Sequence, residues 1–436
     1  MSDPRDQQPE QSNPVQTPRE PRLVPGRLGT RAFTLAALRE RIEAQFLAEY
    51  SLDSPALREA STPAKRLRLI LDATDHLLAV ESVRLNDDER ADLVRDAYSN
   101  LFGYGPLDPY FLDERVTTIA LEGVERASVR IGHGDLTGVG QLFEDAAHLA
   151  RTIARLLFDA GAELHPEQSV VETGLTIDGR QVRLSVVAPP LTPTIHADIR
   201  LHPRQAPSLD DLVGADVMSA EAAALLRQIA RSGYGFVIAG EVESGKTTLL
   251  GALARELPEP AAAITAVQRA DELLLPDEVQ RRWVQWPTRE QVGVTFGEQV
   301  LAALDTEPRC LLLDEVRADS PEAIAPLLEA EQTPRQIWVM RGAPDHKRLQ
   351  SALGMLARRA SVGQGELLVH ALYERLPFVI TVARIRGRLQ LFSVAEWQSR
   401  IDTDYPDYVL LMHYQDGAAR RTEKTLARWL DIDAGP

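Results

Sequence analysis

The C-terminal half of the chain is predicted to form an α/β domain with a mostly parallel sheet. Residues Gly240–Thr247 match the phosphate-binding pattern G-x-x-x-x-G-K-[ST], and they lie between an apolar run, Tyr234–Ala239, and a helix-like run, Thr248–Arg255. A second apolar run, Cys310–Glu315, ends in two carboxylates. From about Leu212 onward, strand-like and helix-like runs alternate, and this alternation is typical of parallel strands joined by helices.

Three kinds of sequence precede this domain. The first residues are rich in Pro, Gln, Ser and charge and have almost no apolar side chains, so we expect a disordered arm. Apolar residues then recur at helical spacing up to about Phe102, which predicts a helical segment. After it, short strand-like runs (Thr117–Leu121, Ser128–Ile131 and Val182–Ala188) surround a helix-like run near Ala146–Ala160, which predicts an α+β domain. The predicted division is an arm, a helical segment, an α+β domain, a linker and the α/β domain, over residues 1–28, 29–102, 103–203, 204–212 and 213–436.

A hairpin is predicted near the C-terminus. Two runs rich in apolar residues, Phe378–Ala383 and Arg388–Val394, lie on either side of Arg386-Gly387. A Gly in a two-residue connection is typical of the turns that join antiparallel strands. We therefore expect these two runs to pair.

Composition limits the functions that the chain can have. Its 436 residues predict two or three domains. It has no apolar stretch near the roughly 20 residues of a membrane helix and no signal-peptide core, so we expect a cytoplasmic protein. A net charge of −16 argues against wrapping nucleic acid through its phosphates, so no nucleic-acid partner is expected. The single cysteine, Cys310, excludes an internal disulfide framework and a Cys-based zinc site, and its apolar surroundings predict a core position.

The phosphate-binding loop predicts a set of nucleotide-binding residues. In such loops, consecutive backbone N–H groups and the positive end of the following helix surround the phosphates. Lys246 is then expected to reach the β and γ oxygens, and the Thr247 hydroxyl to ligate Mg²⁺. The other candidates in the loop are Gly240, Ser244, Gly245 and Thr248.

The second apolar run predicts the carboxylates of an ATPase. One carboxylate holds the hydrated Mg²⁺, here Asp314, and its neighbour orients or deprotonates the attacking water, here Glu315. The alternative is a buried strand followed by solvated acids. The phosphate-binding loop in the same domain favours the ATPase interpretation.

Several short segments occur in the order found in one known family. They are Gly103–Leu107 (G-Y-G-P-L), Val116–Ile119 (V-T-T-I), Arg183–Pro190 (R-L-S-V-V-A-P-P), Ile199-Arg200, the loop with Thr247 and Thr248, and Glu315–Arg317 (E-V-R). Together they resemble the motifs of the type II/IV secretion superfamily of motor ATPases, and most closely those of the Tad/Flp pilus-assembly (CpaF-like) branch. The resemblance covers about residues 101–397.

The resemblance implies a RecA-like P-loop ATPase domain in a hexameric ring, homomeric or with an active relative. Mg-ATP would lie between the α+β domain and the ATPase domain, and domain movement would drive assembly or export at an inner-membrane platform, where the protein would be peripheral. It also implies that Arg200 faces the nucleotide. Arg289 and Arg317 are further cations that could do so.

Charged positions in two of the family's motifs depart from its pattern. The acidic box I-E-D-A-A-E-L aligns with Val267–Leu273, so Gln268 and Arg269 stand where the family has Glu and Asp. The histidine box T-I-H-A-N-S-P places Arg341 where the family has His. Gln cannot accept a proton from water, and an arginine cannot shuttle one.

Two further departures concern the phosphates themselves. Glu243 stands where the family's loop has Gly, with Glu241 close by in sequence. If this position requires a positive φ, a non-Gly residue is strained, and its carboxylate must turn away from the phosphates. The family's recurrent arginines are also replaced, by Gly297, Leu301, Asp305 and Glu307.

These observations leave two functions open. The first is a motor ATPase in which Lys246 binds phosphate, Thr247 and Asp314 hold Mg²⁺, and Glu315 activates water. The second is a structural or regulatory paralogue that keeps the fold without hydrolysing ATP. A nucleic-acid-translocating motor is disfavoured by the acidic charge and by the lack of a recognisable nucleic-acid-binding module.

Overall fold

The structure of the chain is a computed structural model that describes residues 23–24, 33–50, 55–132, 134–317, 321, 324–329, 333–343, 345–361, 363–399, 405–428 and 430. Apart from residues 23–24, the predicted N-terminal arm lies outside the described residues. The helices are α1 Leu35–Glu49, α2 Pro55–Glu59, α3 Pro63–Val80, α4 Asp87–Phe102, α5 Asp108–Leu112, α6 Ala146–Asp159, α7 Leu209–Gly214, α8 Ala220–Arg231, α9 Lys246–Ala254, α10 Phe296–Leu304, α11 Ala325–Glu329, α12 His346–Ala360 and α13 Gly365–Arg375. The strands are β1 Leu23–Val24, β2 Phe33–Thr34, β3 Val116–Glu122, β4 Arg126–Ile131, β5 Thr137–Gly140, β6 Val170–Ile177, β7 Arg180–Val187, β8 His196–Leu201, β9 Phe236–Gly240, β10 Ile264–Gln268, β11 Gln280–Trp283, β12 Cys310–Val316, β13 Arg335–Arg341, β14 Phe378–Ile385, β15 Arg388–Gln398, β16 Asp407–Gln415 and β17 Ala418–Arg421.

The chain divides into two compact units. The first consists of residues 1–112, 124–126 and 139–152, and the second of residues 113–123, 127–138 and 153–436. The first unit contains α1, α3 and α4, whose apolar faces form one buried cluster. Each of these helices begins after a side-chain cap, because Thr34, Thr62 and Asn86 each accept a hydrogen bond from the backbone N–H three residues on.

The second unit contains the larger of the two main sheets, with the strand order β11-β10-β12-β13-β9-β14-β15-β16-β17 in the described part of the chain. The pairs from β11 to β14 are parallel, and the pairs from β14 to β17 are antiparallel. One strand, β13, separates the phosphate-loop strand β9 from the carboxylate-bearing strand β12. The predicted α/β fold with a RecA-like, mostly parallel sheet is confirmed.

Both faces of this sheet are buried. Along β9, Phe236 and Ile238 belong to one apolar cluster with residues of α8 and α9, while Val237 and Ala239 belong to a second cluster with residues of α10, α12 and α13. A parallel sheet covered by helices on both faces has near-continuous apolar strands. This explains why the sequence shows apolar runs here instead of alternation. Cys310 is fully buried, as predicted.

The predicted C-terminal hairpin is confirmed. Strands β14 and β15 pair antiparallel around Arg386 and Gly387. Both turn residues have positive φ, 49° and 80°. This is the backbone that a two-residue hairpin turn requires, because its twist matches that of the strands.

The smaller sheet has the strand order β5-β4-β3-β8-β7-β6. Strand β7 alternates strictly, so Val182, Leu184 and Val186 are buried on one face while Arg183 and Ser185 lie on the other. Strands β3, β4 and β7 and helix α6 fall where the sequence predicts them. The sequence analysis did not predict β5, β6 and β8, which are short or interrupted by charged and Gly residues.

Helix α7 begins at Leu209, among the residues predicted to form a linker. Ser208 and Asp211 form a capping box, in which each side chain bonds the backbone N–H of the other residue. Leu209 and Leu212 are buried in the core of the α/β domain. The S-x-x-D pattern was the available signal for this helix.

Among the residues that the structure describes, no helix is both long enough and apolar enough to cross a bilayer.

Candidate nucleotide site

The phosphate-binding loop connects the end of β9 to the start of α9. Gly245 has a left-handed backbone with φ 86°, and α9 begins at the next residue. At Gly240 a Cβ atom would lie 2.5 Å from the carbonyl oxygen of Val382, so no larger residue fits there. The Ser244 hydroxyl is buried and has no hydrogen-bond partner within the described part of the chain. The loop therefore ends at a helix N-terminus, and its Ser244 hydroxyl is available to bond a ligand. Both features suit a phosphate site.

Lys246 is buried at the first turn of α9. Its Nζ donates to the carbonyl oxygen of Glu241, 2.7 Å away within the same loop. Burial lowers the pKa of Lys246, and the negative charges of Glu315 and Asp314 offset part of this effect. The lysine thus lies in the electrostatic field of both predicted carboxylates.

Asp314 and Glu315 lie at the carboxyl end of β12 and have different environments. Asp314 is only 3% exposed. Burial and, to a smaller extent, the charge of Glu272 raise its pKa to about 7. Burial also acts to raise the pKa of Glu315, but Arg317, Arg183 and Lys246 outweigh it, so this pKa is lowered. Glu315 is therefore ionised at neutral pH, whereas Asp314 is only partly ionised.

The smaller sheet contributes a guanidinium to these carboxylates. Arg183 on β7 pairs with Glu172, its Nη1 lies 2.5 Å from Glu272 Oε1, and its Nη2 lies 3.7 Å from Glu315 Oε2. Arg317 connects the same groups, with 3.0 Å to Glu172 Oε2 and 3.4 Å to Glu315 Oε2. The end of β12 is therefore tied to the smaller sheet by a network of buried ion pairs.

Glu272 is the most deeply buried acid of this network. Its Oε2 lies 2.9 Å from His202 Nε2. Burial acts to raise its pKa, but Arg183 and then His202 lower it to about 2. Glu272 and His202 also line a small cavity of about 20 Å³, together with Thr247 and Thr248. The two threonines therefore share one pocket with the network.

Arg200 reaches the loop through Glu243. Its Nε lies 2.9 Å from Asp198 Oδ1 and 3.8 Å from Glu243 Oε1. Arg130 Nη1 lies 2.6 Å from the other oxygen of Glu243. Glu243 has φ 60°, a conformation that costs a non-Gly residue about 1–3 kcal/mol. The sequence analysis made strain at this position conditional on a positive φ, and the structure has that φ, with the carboxylate paired to Arg130 and Arg200.

Comparison with known proteins identifies the family. Residues 141–336 match the family model described as "Type II/IV secretion system protein". A Mycobacterium tuberculosis (strain H37Rv) protein named for conjugal transfer is 30% identical over 243 residues, which cover 53% of this chain and 67% of that protein. This chain belongs to the type II/IV secretion family. The type IV secretion system protein VirB11 of Brucella suis is 36% identical over 85 residues, or 19% of this chain and 23% of VirB11. The solved Legionella pneumophila ATPase DotB aligns over 66% of this chain and 79% of its own, with 16% identity and a TM-score of 0.48.

In this type II/IV secretion protein, the two residues that the sequence analysis compared with the family's acidic box support the backbone. The Gln268 side chain is fully buried, and its Oε1 accepts the N–H groups of Glu272 and Leu273, at 3.2 and 2.8 Å. Arg269 donates from Nε to the carbonyl oxygen of Glu315 at 3.1 Å, and its guanidinium lies 4.5 Å from the ring centre of Phe296. Gln268 thus supports the backbone at Glu272, and Arg269 supports the backbone at Glu315.

Arg341, which the sequence analysis compared with the histidine of the family's motif, lies at the end of β13, directly opposite Gly240. With Glu241, Val242 and Arg348, it lines an open cavity of about 420 Å³ beside the loop.

The structure does not bring every predicted cation to the loop. Arg289 is 81% exposed and lies 3.3 Å from Glu163. Arg317 is in the ion-pair network described above. The aligned positions of the family's arginines lie on α10 and just after it, at Gly297, Leu301, Asp305 and Glu307.

Five polar residues of the site were not singled out by the sequence analysis, namely Arg130, Glu172, Arg183, His202 and Glu272. A weak signal was available for two of them. Arg183 lies directly opposite Arg200 across β7 and β8, and both strands alternate with a period of two. The residues that follow this period on the polar face of the sheet include Arg183 and His202.

Proposed function

We propose that this type II/IV secretion family member binds Mg-ATP and works as a weak ATPase that powers assembly or export. The observation that carries the proposal is the position of Lys246. It is buried at the start of α9 and lies in the field of Asp314 and Glu315 at the end of β12, a parallel strand that β13 separates from β9. Ligands of open α/β sheets bind at the carboxyl ends of the strands, where these groups meet.

The donor set fits a magnesium ion. Thr247 offers a hydroxyl oxygen and Asp314 a carboxylate oxygen, and Mg²⁺ prefers such hard oxygen ligands. The buried Asp314 also lies near Glu272 and Glu315, so this region carries negative charge that a divalent cation offsets. When bound, the ion neutralises charge on the transferred phosphoryl group.

The chain's own residues supply the remaining functions. The backbone N–H groups of the loop and Lys246 bind the phosphates, with Gly240, Ser244, Gly245 and Thr248 shaping the loop. Glu315 is ionised and orients the attacking water. Arg200 contributes positive charge at the edge of the site.

The finer assignment is to a Tad/Flp-type pilus-assembly system. It is supported by the segments Gly103–Leu107 and Arg183–Pro190 and by the absence of a tetracysteine motif from the sequence. We extend the proposal to a hexameric ring at an inner-membrane platform and to the five-part division predicted from the sequence.

A non-hydrolysing structural or regulatory paralogue is the second candidate. The observation that favours it is the position of Gln268, whose acceptor oxygen is committed to two backbone N–H groups. In addition, Arg341 replaces a histidine, and the arginines of the family are missing from the region of α10. Because arginine fingers contribute on the order of 10³–10⁵ in rate, such a protein would bind ATP and turn it over very slowly.

Titration with fluorescent Mg-ATP, with phosphate release measured in the same samples, separates the two candidates. We expect Lys246→Ala to abolish binding and Glu315→Gln to preserve binding while abolishing release. Lys65→Ala is the matched control, because Lys65 also donates to a backbone carbonyl, that of Glu59, but at an exposed position of α3.

The outcomes differ clearly. Binding with turnover that depends on Lys246 supports the motor, and binding without turnover supports the paralogue. No binding by the folded wild-type protein contradicts both nucleotide-binding forms of the proposal.

A further inference from the structure

The phosphate-binding loop contains a strained residue that carries a charge. Glu243 adopts φ 60°, a left-handed conformation that glycine reaches without steric cost. Gly245, two residues later, has φ 86° and meets the same requirement without a side chain. An L-residue keeps a left-handed backbone only where its surroundings hold it there.

The side chain of Glu243 is held by arginines of the smaller sheet. Arg130 on β4 lies 2.6 Å from Glu243 Oε2, and Arg200 on β8 lies 3.8 Å from Oε1. The charge of Glu243 also acts on Arg384. Arg130 and Glu243 are largely buried, with side chains 13% and 24% exposed. Water screens such a pair less than it screens a surface ion pair, so the contact is a stronger restraint.

The carboxylate of Glu243 and the lysine of the loop have different partners. Lys246 donates to the carbonyl oxygen of Glu241, and the ion-pair partners of Glu243 are Arg130 and Arg200. An unpaired carboxylate in this loop would repel a nucleotide phosphate. Pairing with Arg130 removes that repulsion and fixes the backbone at the same time.

We propose that Arg130 is a positioning residue of the phosphate-binding loop: through its ion pair with Glu243 it holds the left-handed backbone that glycine would otherwise supply, and it neutralises the Glu243 carboxylate. This inference rests on the proposed nucleotide site and adds a residue of the smaller sheet to it. The conformation of the loop therefore depends on the smaller sheet before any ligand binds.

The same contact allows an opposite interpretation, in which Arg130 holds the loop in a conformation that weakens nucleotide binding. The two interpretations predict opposite signs. If Arg130 positions the loop, its removal weakens nucleotide binding. If it restrains the loop, its removal strengthens binding.

The test is a double-mutant cycle of Arg130→Ala and Glu243→Gly, with the dissociation constant of fluorescent Mg-ATP as the readout. We expect Arg130→Ala alone to weaken binding by about fivefold to tenfold, since the strain and the carboxylate are then unrestrained. In the Glu243→Gly background, the same change is expected to alter affinity by less than about twofold. Arg126→Ala, at an exposed position of the same strand, is the matched control and is expected to change nothing.

A tighter complex after Arg130→Ala overturns the proposal, and so does an equal loss in both backgrounds. Arg130→Lys keeps the charge and is expected to recover part of the affinity. It also serves as the substitute if the alanine variant does not fold.

A readout without nucleotide separates this inference from the proposed function. Hydrogen exchange of the amides of residues 243–247 is measured in the free proteins. We expect faster exchange in Arg130→Ala than in wild type, and no such difference in the Glu243→Gly background. If wild type binds no nucleotide, the proposed function fails, and these exchange rates still decide the role of Arg130. If these amides exchange at the same rate in Arg130→Ala as in wild type, the proposed role of Arg130 is overturned.

Discussion

The backbone of Gly174 on β6 lies against the backbone of Asp271, so closely that a Cβ atom on Gly174 would be 2.7 Å from the Asp271 amide nitrogen. Asp271 immediately precedes Glu272, the buried acid that pairs with Arg183 and His202. The absence of a side chain at Gly174 therefore allows the smaller sheet to approach the strand ends that carry the site. Four predictions follow from contacts of this kind.

Gly174→Ala is expected to lower the free energy of unfolding by about 1–3 kcal/mol, because the backbone of one of the two segments must move to admit a methyl group. Chemical denaturation of the variant and wild type measures this loss. Gly138→Ala is the matched control, since a Cβ atom there has no heavy atom within 4 Å outside its immediate chain neighbours. Equal stability of the two variants would show that the close approach is absent in solution.

Arg183→Met is expected to cost about 3–5 kcal/mol of unfolding free energy, because it leaves the Glu272 and Glu172 carboxylates without their buried partner. The comparison is with Arg115→Met, which removes an exposed ion pair to Asp113 and is expected to lower stability far less, because water screens that pair. Denaturant titrations at neutral pH measure both losses. The double variant Arg183→Met with Glu272→Gln should recover part of the loss, and a further loss in that variant would contradict the pairing.

Asp314→Asn is expected to change how stability depends on pH. The folded-state pKa of Asp314 is about 7, above the ordinary value of 3.8, so the native state retains a proton that the unfolded state has lost. The contribution of this proton to the free energy of unfolding is fully present below about pH 4, and it is lost as the pH rises through 7. The asparagine variant should therefore be more stable than wild type at pH 8, by about 1–3 kcal/mol, and equal to it near pH 4.

Unfolding curves in the presence of a chelator, at several pH values between 4 and 8, measure this difference. Added Mg²⁺ is expected to stabilise wild type more than the variant, because Asp314 is a proposed ligand. A difference between the two proteins that does not vary with pH would exclude the raised pKa.

Gln268→Glu restores the residue type of the family's acidic box, but it is expected to lower stability without increasing ATP turnover. The side chain is fully buried and donates from Nε2 to Asp271 Oδ1 at 3.4 Å, so a carboxylate would face another acid there. Burial of this unpaired charge is expected to cost on the order of 1–3 kcal/mol at pH 8, and less at pH 5, where the new carboxyl group holds its proton. Denaturation at both pH values and phosphate release measure the two effects.

Gln291→Glu, at an exposed position, is the control for the added charge. A clear gain in phosphate release by Gln268→Glu would mean that this side chain reaches water, and it would contradict the structural role assigned to Gln268.

Much of the fold and part of the site can be predicted from local patterns. The loop from Gly240 to Thr247, the strand that ends in Asp314 and Glu315, and the hairpin around Arg386 and Gly387 are each encoded by contiguous residues. Their chemistry depends on the order of side chains along one segment, so the sequence displays it directly. The strands that the sequence analysis did not predict contain no such contiguous motif. Strand β6, for example, contains Glu172 and Gly174, and their roles appear only against residues that are far away in the chain.

The sequence by itself determined the phosphate-binding loop and the strand end with its two carboxylates, and it drew attention to Glu243 and Gln268. Only the tertiary structure decided what these two side chains do. Glu243 pairs with Arg130, 113 residues away, and Gln268 turns its oxygen to the backbone of the following loop. A charged or buried polar side chain acquires its role from the partner that offsets its desolvation, and folding, not sequence order, selects that partner.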